Sequence, residues 1–132
     1  FTKYKRSDFL SLDEPELRLG LQEKKVDIKI LINSILNRYK NVMVTKGVHG
    51  LVFKQAKRDL LNLPALSKSP LDTLGAGDSA YSFASIFVNY SKNSKLNALV
   101  SAIAGALKIK IIGHRSFIHI DDIYKSIISL TK

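Results

Sequence analysis

The sequence predicts an α/β domain in which strands alternate with helices in layers. Several short aliphatic runs end at glycine or proline, as buried strands do. Longer segments carry apolar residues three and four positions apart, which is the spacing of an amphipathic helix. The chain has 132 residues, of which 45% are hydrophobic, so it is long enough to bury one core. We therefore expect a single α/β domain spanning residues 1–132.

The first half of the chain carries the predicted strands, which runs such as NVMVT and LVFK indicate. The helix between them is indicated by residues at helical spacing, namely Ile28, Leu31, Ile32, Ile35, Leu36 and Tyr39. In order, we predict a strand over 8–12, a polar turn over 13–16, a helix of about three turns from Asp27, a strand over 42–45, a hairpin-like turn at 48–50, a strand opened by Gly50, and an extended piece from Leu60 that Pro64 interrupts.

The second half is predicted to be helical. One helix ends near Tyr90 and has an apolar face made of Ala80, Phe83, Ala84, Phe87 and Val88. After a polar loop with the sequence SKNSK, residues 96–107 are apolar almost all round, which is typical of a buried helix. A last helix begins at Asp121 and carries the apolar residues Ile123, Tyr124, Ile127 and Ile128.

Basic residues give the chain its one unusual bulk property, a net charge of +10. Such a surplus favours polyanions, membrane surfaces or phosphorylated small molecules as partners. The basic residues, Lys108 and Lys110 among them, are scattered and do not alternate with aromatic residues as in a nucleic-acid-binding surface. We interpret them as a solvated surface, and we expect neither nucleic acid nor a membrane as partner. Cysteine is absent, which excludes disulfides and thiolate metal sites, and we expect a cytoplasmic protein.

The stretch LDTLGAGDSAYSFASIF places small residues and two aspartates at the start of a predicted helix. Glycine at a helix start lowers the stability of the helix by about 0.5–1 kcal/mol relative to alanine, so the presence of these glycines requires an explanation. The first N–H groups of a helix lack partners within the helix, and the helix dipole attracts anions to them. Gly75, Ala76 and Gly77 can therefore cradle a phosphate, with Asp78 beside them as a base. The alternative is that Asp78 caps the helix and the glycines fit a tight turn.

The motif extends beyond a simple glycine pattern, since residues 72–78 read D-T-x-G-A-G-D. It resembles the C-terminal signature of the ribokinase-like carbohydrate kinases, the PfkB family. The resemblance implies a ribokinase-like layered α/β/α fold, of which this chain would supply the C-terminal portion. It implies that Asp78 is the catalytic base. The anion hole that it implies consists of Gly75, Ala76 and Gly77, and the cofactor-binding residues within the motif are Asp72 and Thr73.

Two stretches upstream of the motif are similar to the same family. VMVTKGVHGLVF resembles the strand and turn that lie along the nucleotide, which implies ATP contacts for Thr45, Gly47 and Gly50. LDEPEL occupies the place of the family's Asn-x-x-Glu motif, which implies that Glu16 helps to hold Mg²⁺. Asp13 stands where that motif usually has asparagine, so this sequence departs from the pattern there.

A third stretch, SAIAGALKIKIIG, resembles the small-residue helix that walls the adenine pocket. The resemblance implies that Ser101, Ala102 and Gly105 lie nearest the base. Family sequences often have asparagine where Ser101 stands, and a buried packing helix would explain the other two residues equally well. The histidines show no metal-ligand spacing, and we interpret all three as surface or turn residues: His49, His114 and His119.

The resemblance covers essentially all of this chain but only the C-terminal half of the family's architecture. Most of the sugar-binding residues belong to the N-terminal half, so we expect a part of a kinase that needs its missing half as partner. Alone it should bind nucleotide weakly and phosphorylate a sugar or sugar phosphate poorly or not at all. Within the family, FTKYKRSDF and EPELRLG are nearest to the heptose-phosphate kinase-like, cytidylyltransferase-linked branch.

Three functions stay open at this point. The first is an ATP-dependent carbohydrate kinase, which the intact Asp78 favours. The second is a non-catalytic relative that keeps the nucleotide fold for regulation or assembly, which the departures at Asp13 and Ser101 favour. The third is a basic nucleic-acid-binding domain. The sequence leaves open the sugar, the hydroxyl that is phosphorylated, the dependence on a monovalent cation and the oligomeric state.

Overall fold

The aliphatic runs of the first half become the strands of a single sheet, as the α/β prediction requires. The computed structural model describes residues 1, 3–67, 69–113 and 115–132. They form an N-terminal unit, Phe1–Pro64, and a C-terminal unit, Ala65–Lys132. The expectation of one domain over the whole chain stays a prediction. In chain order the elements are β1 (Ser7–Asp13), α1 (Glu14–Leu21), α2 (Ile28–Ile35), β2 (Tyr39–Thr45), β3 (Leu51–Gln55), β4 (Leu60–Leu63), α3 (Ala76–Tyr90), α4 (Ser94–Lys108) and α5 (Ile120–Leu130).

The sheet of the N-terminal unit has the strand order β1-β2-β3-β4. β1 and β2 are parallel, whereas β3 pairs antiparallel with both β2 and β4. Parallel neighbours need a crossover connection, which α1 and α2 supply. In the register of the parallel pair, Asp13 lies opposite Thr45, so the carboxyl ends of β1 and β2 meet at these two residues.

The polar segment after β1 is a helix start, and the predicted turn over 13–16 is wrong. The Asp13 side chain accepts a hydrogen bond from the Glu16 N–H (2.7 Å), and the Glu16 Oε2 accepts one from the Asp13 N–H (2.9 Å). This reciprocal pair is a capping box, which satisfies N–H groups that a helix start leaves free. Pro15 lies in the first turn, where its missing N–H costs nothing. The proline and the acidic residues therefore begin α1, which buries Leu17.

Tyr39 belongs to a strand and not, as its spacing predicted, to the preceding helix. α2 ends at Ile35, and Tyr39 is the first residue of β2. Its ring is fully buried, and its one hydroxyl proton is shared between the carbonyl oxygens of Phe1 (3.2 Å) and Tyr4 (2.9 Å). The hydroxyl thus fixes the chain before β1. The core of this unit consists of Leu17, Leu31, Ile32, Ile35, Tyr39, Val42, Val44 and Val52.

The C-terminal unit contains the three predicted helices, and α3 and α4 pack closely. A Cβ added at Gly105 of α4 would lie 3.6 Å from the Ala76 carbonyl oxygen and 3.8 Å from the Ala80 Cβ, so glycine lets α4 approach the first turn of α3. α4 begins two residues earlier than predicted because Asn93 in the SKNSK loop caps it. On α5, Ile123 is buried, whereas Tyr124 is 64% exposed, so the predicted apolar residues of this helix do not all face the core. The buried centre consists of Val100, Ile103, Ala104 and Ile123.

The described helices are all too short or too polar to cross a membrane.

Replacing Ile32 by alanine should lower the free energy of unfolding by about 2–5 kcal/mol, because it leaves a cavity in the core of the N-terminal unit. Ile30 on the same helix is 61% exposed, against 0% for Ile32, and provides the matched control. Ile30→Ala should change the free energy of unfolding by no more than about 0.5 kcal/mol. Urea denaturation followed by circular dichroism measures both values. Equal losses in the two variants would contradict the burial of this face of α2.

Candidate functional site

The turn before α3 depends on glycine at position 75. Gly75 is the N-cap of α3 with φ +74°, in the left-handed region that residues with a Cβ rarely adopt. A Cβ added there would also lie 3.3 Å from the Lys108 Cε, a tight contact. Two independent constraints, backbone conformation and a neighbouring side chain, therefore select glycine at this position.

The first turn of α3 has free donors. The Ala76 N–H donates to the Thr73 carbonyl (3.3 Å), and the Ser79 N–H donates to the Gly75 carbonyl (2.9 Å). Between them, the N–H groups of Gly77 and Asp78 have no acceptor among residues 1, 3–67, 69–113 and 115–132. A Cβ added at Gly77 would meet nothing within 4 Å, and Gly77 is exposed. The helix start is thus open and carries two donors of the kind that bind phosphate.

Asp78 stands beside these donors with a free carboxylate. The residue is exposed, and within the described chain its carboxylate forms no ion pair and no hydrogen bond. The alternative that Asp78 caps the helix is wrong, because the N-cap is Gly75 and no side chain of the described residues takes up a first-turn N–H. In the first turn its negative charge is stabilised by the dipole of α3. The carboxylate is accessible and can accept a proton.

Asp72 fastens the turn to the segment that follows α4. Its Oδ1 accepts a hydrogen bond from the Leu74 N–H (2.9 Å), and its Oδ2 accepts one from the Gly113 N–H (2.8 Å). The N–H groups of Leu71 and Asp72 both donate to the Ile109 carbonyl, at 2.8 and 3.1 Å. The Asp72 carboxylate is therefore engaged in shaping the turn, and its predicted contact with cofactor stays a prediction. Thr73 is exposed, and its own cofactor contact also stays a prediction.

The small residues of α4 have visible packing roles. Ser101 is fully buried, and its hydroxyl donates to the Asn97 carbonyl within the same helix (2.6 Å). Gly105 faces Ala76, as described above, and Ala102 is half-buried. The predicted adenine contacts of Ser101, Ala102 and Gly105 stay predictions, and the alternative of a packing helix accounts for Gly105.

The N-terminal unit holds the other predicted nucleotide residues near the carboxyl end of β2. Thr45 ends that strand, and its hydroxyl makes a long 3.5 Å contact with the Leu12 carbonyl. Gly47 and Gly50 have φ +55° and +86° around a short 3₁₀ turn that leads into β3. Their conformations explain both glycines, and the predicted contacts with ATP stay predictions. In α/β sheets, ligands bind outside the carboxyl ends of parallel strands, which is where Thr45 lies.

Glu16 is placed so that it could serve a magnesium ion. It is exposed in the first turn of α1, immediately after β1. One carboxylate oxygen accepts from the Asp13 N–H, and Oε1 has no hydrogen-bond partner among the described residues. Mg²⁺ keeps several waters and usually takes only one or two protein carboxylates, so this donor set fits it. A cluster of three or more histidine, aspartate or glutamate residues does not occur in the described parts of the chain.

One charged residue of the site was missed. The scattered basic pattern predicts that Lys108 belongs to the solvated surface, but it is only 6% exposed, and its ammonium donates to the Gly113 carbonyl. The available signal was its position inside the run AGALKIKI, where every neighbour up to Ile109 is small or apolar. His49 and His119 are exposed, as predicted, and His114 lies outside the described residues.

Comparisons with known proteins show the fold. The structure resembles phosphofructokinase-2 from Escherichia coli, solved in complex with substrates and products, with a TM-score of 0.84 and 18% sequence identity over 97% of this chain and 42% of that one. It resembles ribokinase from Thermotoga maritima with a TM-score of 0.78 and 20% identity, over 92% of this chain and 42% of that one. Ribokinase from Arabidopsis thaliana, complexed with ribose and ATP, gives a TM-score of 0.75 and 19% identity, over 89% and 40% of the two chains.

These likenesses confirm the ribokinase-like α/β fold, of which this chain forms a part. The chain spans about two fifths of the length of the solved structures that it matches. Neither a scan against models of protein families nor a sequence search of curated proteins gives a match.

Gly75 and Gly77 should respond differently to replacement by alanine. Gly75→Ala should lower the free energy of unfolding by about 1–2 kcal/mol, because it forces a Cβ into the left-handed conformation. Gly77→Ala should leave the free energy of unfolding unchanged or raise it by up to about 0.5–1 kcal/mol, because Gly77 is helical and its added Cβ meets nothing within 4 Å. Thermal and urea unfolding give both values. A large loss for Gly77→Ala would mean that the helix start is not open.

Proposed function

We propose that this chain is the nucleotide-binding and phosphoryl-transfer portion of an ATP-dependent carbohydrate kinase. The observation that carries the proposal is the open start of α3, where two free N–H groups stand beside a free carboxylate. The sequence motif of residues 72–78 and the ribokinase-like fold support the same reading. The acceptor would be a hydroxyl of a sugar or sugar phosphate, and the resemblance favours the heptose-phosphate kinase-like branch.

The chemistry follows from these groups. Asp78 takes the proton of the acceptor hydroxyl, and the resulting oxygen attacks the γ-phosphorus of ATP. A new oxygen–phosphorus bond forms, the bond from the γ-phosphorus to the β,γ-bridging oxygen breaks, and ADP leaves. The N–H groups of Gly77 and Asp78 donate to the oxygens of the transferring group, and the left-handed Gly75 orients the turn that presents them. Because these amides are fixed before substrate arrives, they need no reorganisation during the reaction.

The remaining predicted residues would serve the nucleotide and its metal. Thr45, Gly47 and Gly50 would lie along ATP, and Ser101, Ala102 and Gly105 would face adenine. Glu16 would hold Mg²⁺ through its exposed carboxylate oxygen and water. When bound, Mg²⁺ supplies positive charge that neutralises the phosphate oxygens. The Arabidopsis thaliana ribokinase complexed with ribose and ATP supports this choice of substrates.

The portion of the kinase fold beyond this chain would complete the site. The chain matches about two fifths of its structural neighbours, so we place most sugar-binding residues outside it. The chain alone would then bind nucleotide weakly. It would transfer phosphoryl groups poorly or not at all. The protein would act in the cytoplasm. A non-catalytic relative would bind nucleotide without transfer, which the free carboxylate of Asp78 disfavours.

The first expected result is nucleotide binding by the 132-residue chain itself. Isothermal titration with Mg·ADP at about 0.3 M salt should give a saturable heat with a dissociation constant below about 1 mM. The reason is that the fixed amides and the dipole of α3 can bind a phosphate group without a sugar. The high salt suppresses the non-specific binding of polyanions that the net charge of +10 would cause. Retention on a polyanion column at this salt, together with no heat from ADP, would instead favour nucleic-acid binding.

The second expected result concerns Asp78 in the natural full-length form of the protein. Asp78→Asn should lower the rate of phosphoryl transfer by about 10²–10⁴-fold and leave ADP affinity within about threefold. The substitution removes the base, but the asparagine side chain has the same shape as the aspartate. Asp121→Asn is the matched control, since Asp121 is an exposed acid in the first turn of α5. That control should retain full activity. Wild-type turnover by the Asp78 variant would remove Asp78 from the role of base.

A further inference from the structure

Lys108, the last residue of α4, is a charged side chain in an interior position. It is only 6% exposed, and one of its three N–H donors is bound to the Gly113 carbonyl. Within residues 1, 3–67, 69–113 and 115–132, no carboxylate forms an ion pair with it. A buried charge without an opposite charge is unfavourable unless another interaction compensates for it. The position therefore needs a reason beyond packing.

Lys108 lies against the turn that precedes α3. Its Cε is 3.3 Å from the point where a Cβ of Gly75 would be, so the end of the side chain packs directly on the glycine of the turn. Its ammonium holds the Gly113 carbonyl, and the Gly113 N–H donates to the Asp72 Oδ2. Asp72 in turn accepts from the Leu74 N–H. A continuous set of contacts thus runs from Lys108 to the residue before Gly75.

Two positive groups meet at this position, near the carboxylates of Asp72 and Asp78. At the carboxyl end of α4 a positive charge is stabilised by the dipole of that helix. The amino end of α3, which begins next to Gly75, is also positive, so the two like charges repel each other across a few ångströms. A phosphate at the free N–H groups of Gly77 and Asp78 would be attracted to both. The charge of Lys108 and the dipole of α3 would therefore act together on such a phosphate.

We propose that Lys108 is a positioning residue that holds the Gly75 turn and that its charge strengthens the binding of the nucleotide's terminal phosphates. The inference rests on the proposed function, since it names how the same site attracts its ligand. Lys108 does not have to touch the phosphate for this, because the end of its side chain lies within a few ångströms of the Gly75 turn and its charge acts over that distance.

The test compares four chains: the wild type, Lys108→Met, Lys108→Arg and Lys110→Met. Methionine keeps the length of lysine and removes its charge, arginine keeps the charge, and Lys110 is an exposed lysine two residues away. Titration with ADP should show about a tenfold loss of affinity for Lys108→Met, the size expected for one charge-assisted interaction. Lys108→Arg should recover most of that loss, and Lys110→Met should bind like the wild type. If Lys108→Met does not fold, Lys108→Gln replaces it, since an amide can still donate to the Gly113 carbonyl.

A second readout keeps this inference separate from the proposed function. Amide hydrogen exchange without ligand should be faster at Leu74 and Gly113 in Lys108→Met than in Lys110→Met, because the contacts that hold the turn are weakened.

If wild type binds ADP and Lys108→Met binds it within twofold, the inference is overturned and the proposed function stands. Equal losses in the arginine and methionine variants would also overturn it, since charge would then be irrelevant. If wild type binds no ADP, the proposed function fails, and unchanged exchange at both amides would overturn the role of Lys108 in holding the turn.

Discussion

The candidate site depends on one constraint, a left-handed Gly75 at the N-cap of α3, where no side chain of the described residues caps the first N–H groups. This conformation is held from outside the helix. Asp72 binds the backbone of both Leu74 and Gly113, and the Ile109 carbonyl accepts two N–H groups of the turn. Close packing at Gly105 brings the end of α4 near enough to do this. The packing of two helices thereby fixes a short turn, and the turn leaves two donors free.

The start of α3 differs from those of its neighbours in the chain. In α1, α2 and α4 an aspartate or asparagine at the N-cap accepts a hydrogen bond from an N–H of the first turn. Such a cap stabilises a helix by about 1 kcal/mol. α3 has no side-chain cap and keeps the donors of Gly77 and Asp78 open. α3 forgoes this local stabilisation, and the hydrogen bonds of Asp72 secure the turn instead.

How well the sequence predicts the structure depends on the range of the interactions. Apolar spacing predicts β2, β3 and the three helices of the C-terminal unit, because it reports which face is buried. It does not predict α1, since an acidic segment with Pro15 has the composition of a turn. The capping box of Asp13 and Glu16, which makes this segment a helix start, is seen only in the structure. The structural roles of Asp72 and Lys108 are harder still to predict from the sequence. Asp72 binds Gly113 across 41 positions, and the burial of Lys108 depends on the segment that folds back over it, which no local pattern contains.

The predicted site residues divide according to whether the fold itself accounts for them. Asp72, Ser101 and Gly105 have structural partners, Gly47 and Gly50 have positive φ angles, and Glu16 completes a capping box. For the carboxylate of Asp78 and the amide of Gly77, no structural partner exists in the described part of the chain. A chain that no longer bound a ligand would gain stability from a side chain that closed this helix start. A non-catalytic relative that still bound nucleotide would use the open start but would leave the unengaged acid of Asp78 without a role, whereas the proposed phosphoryl-transfer site uses both.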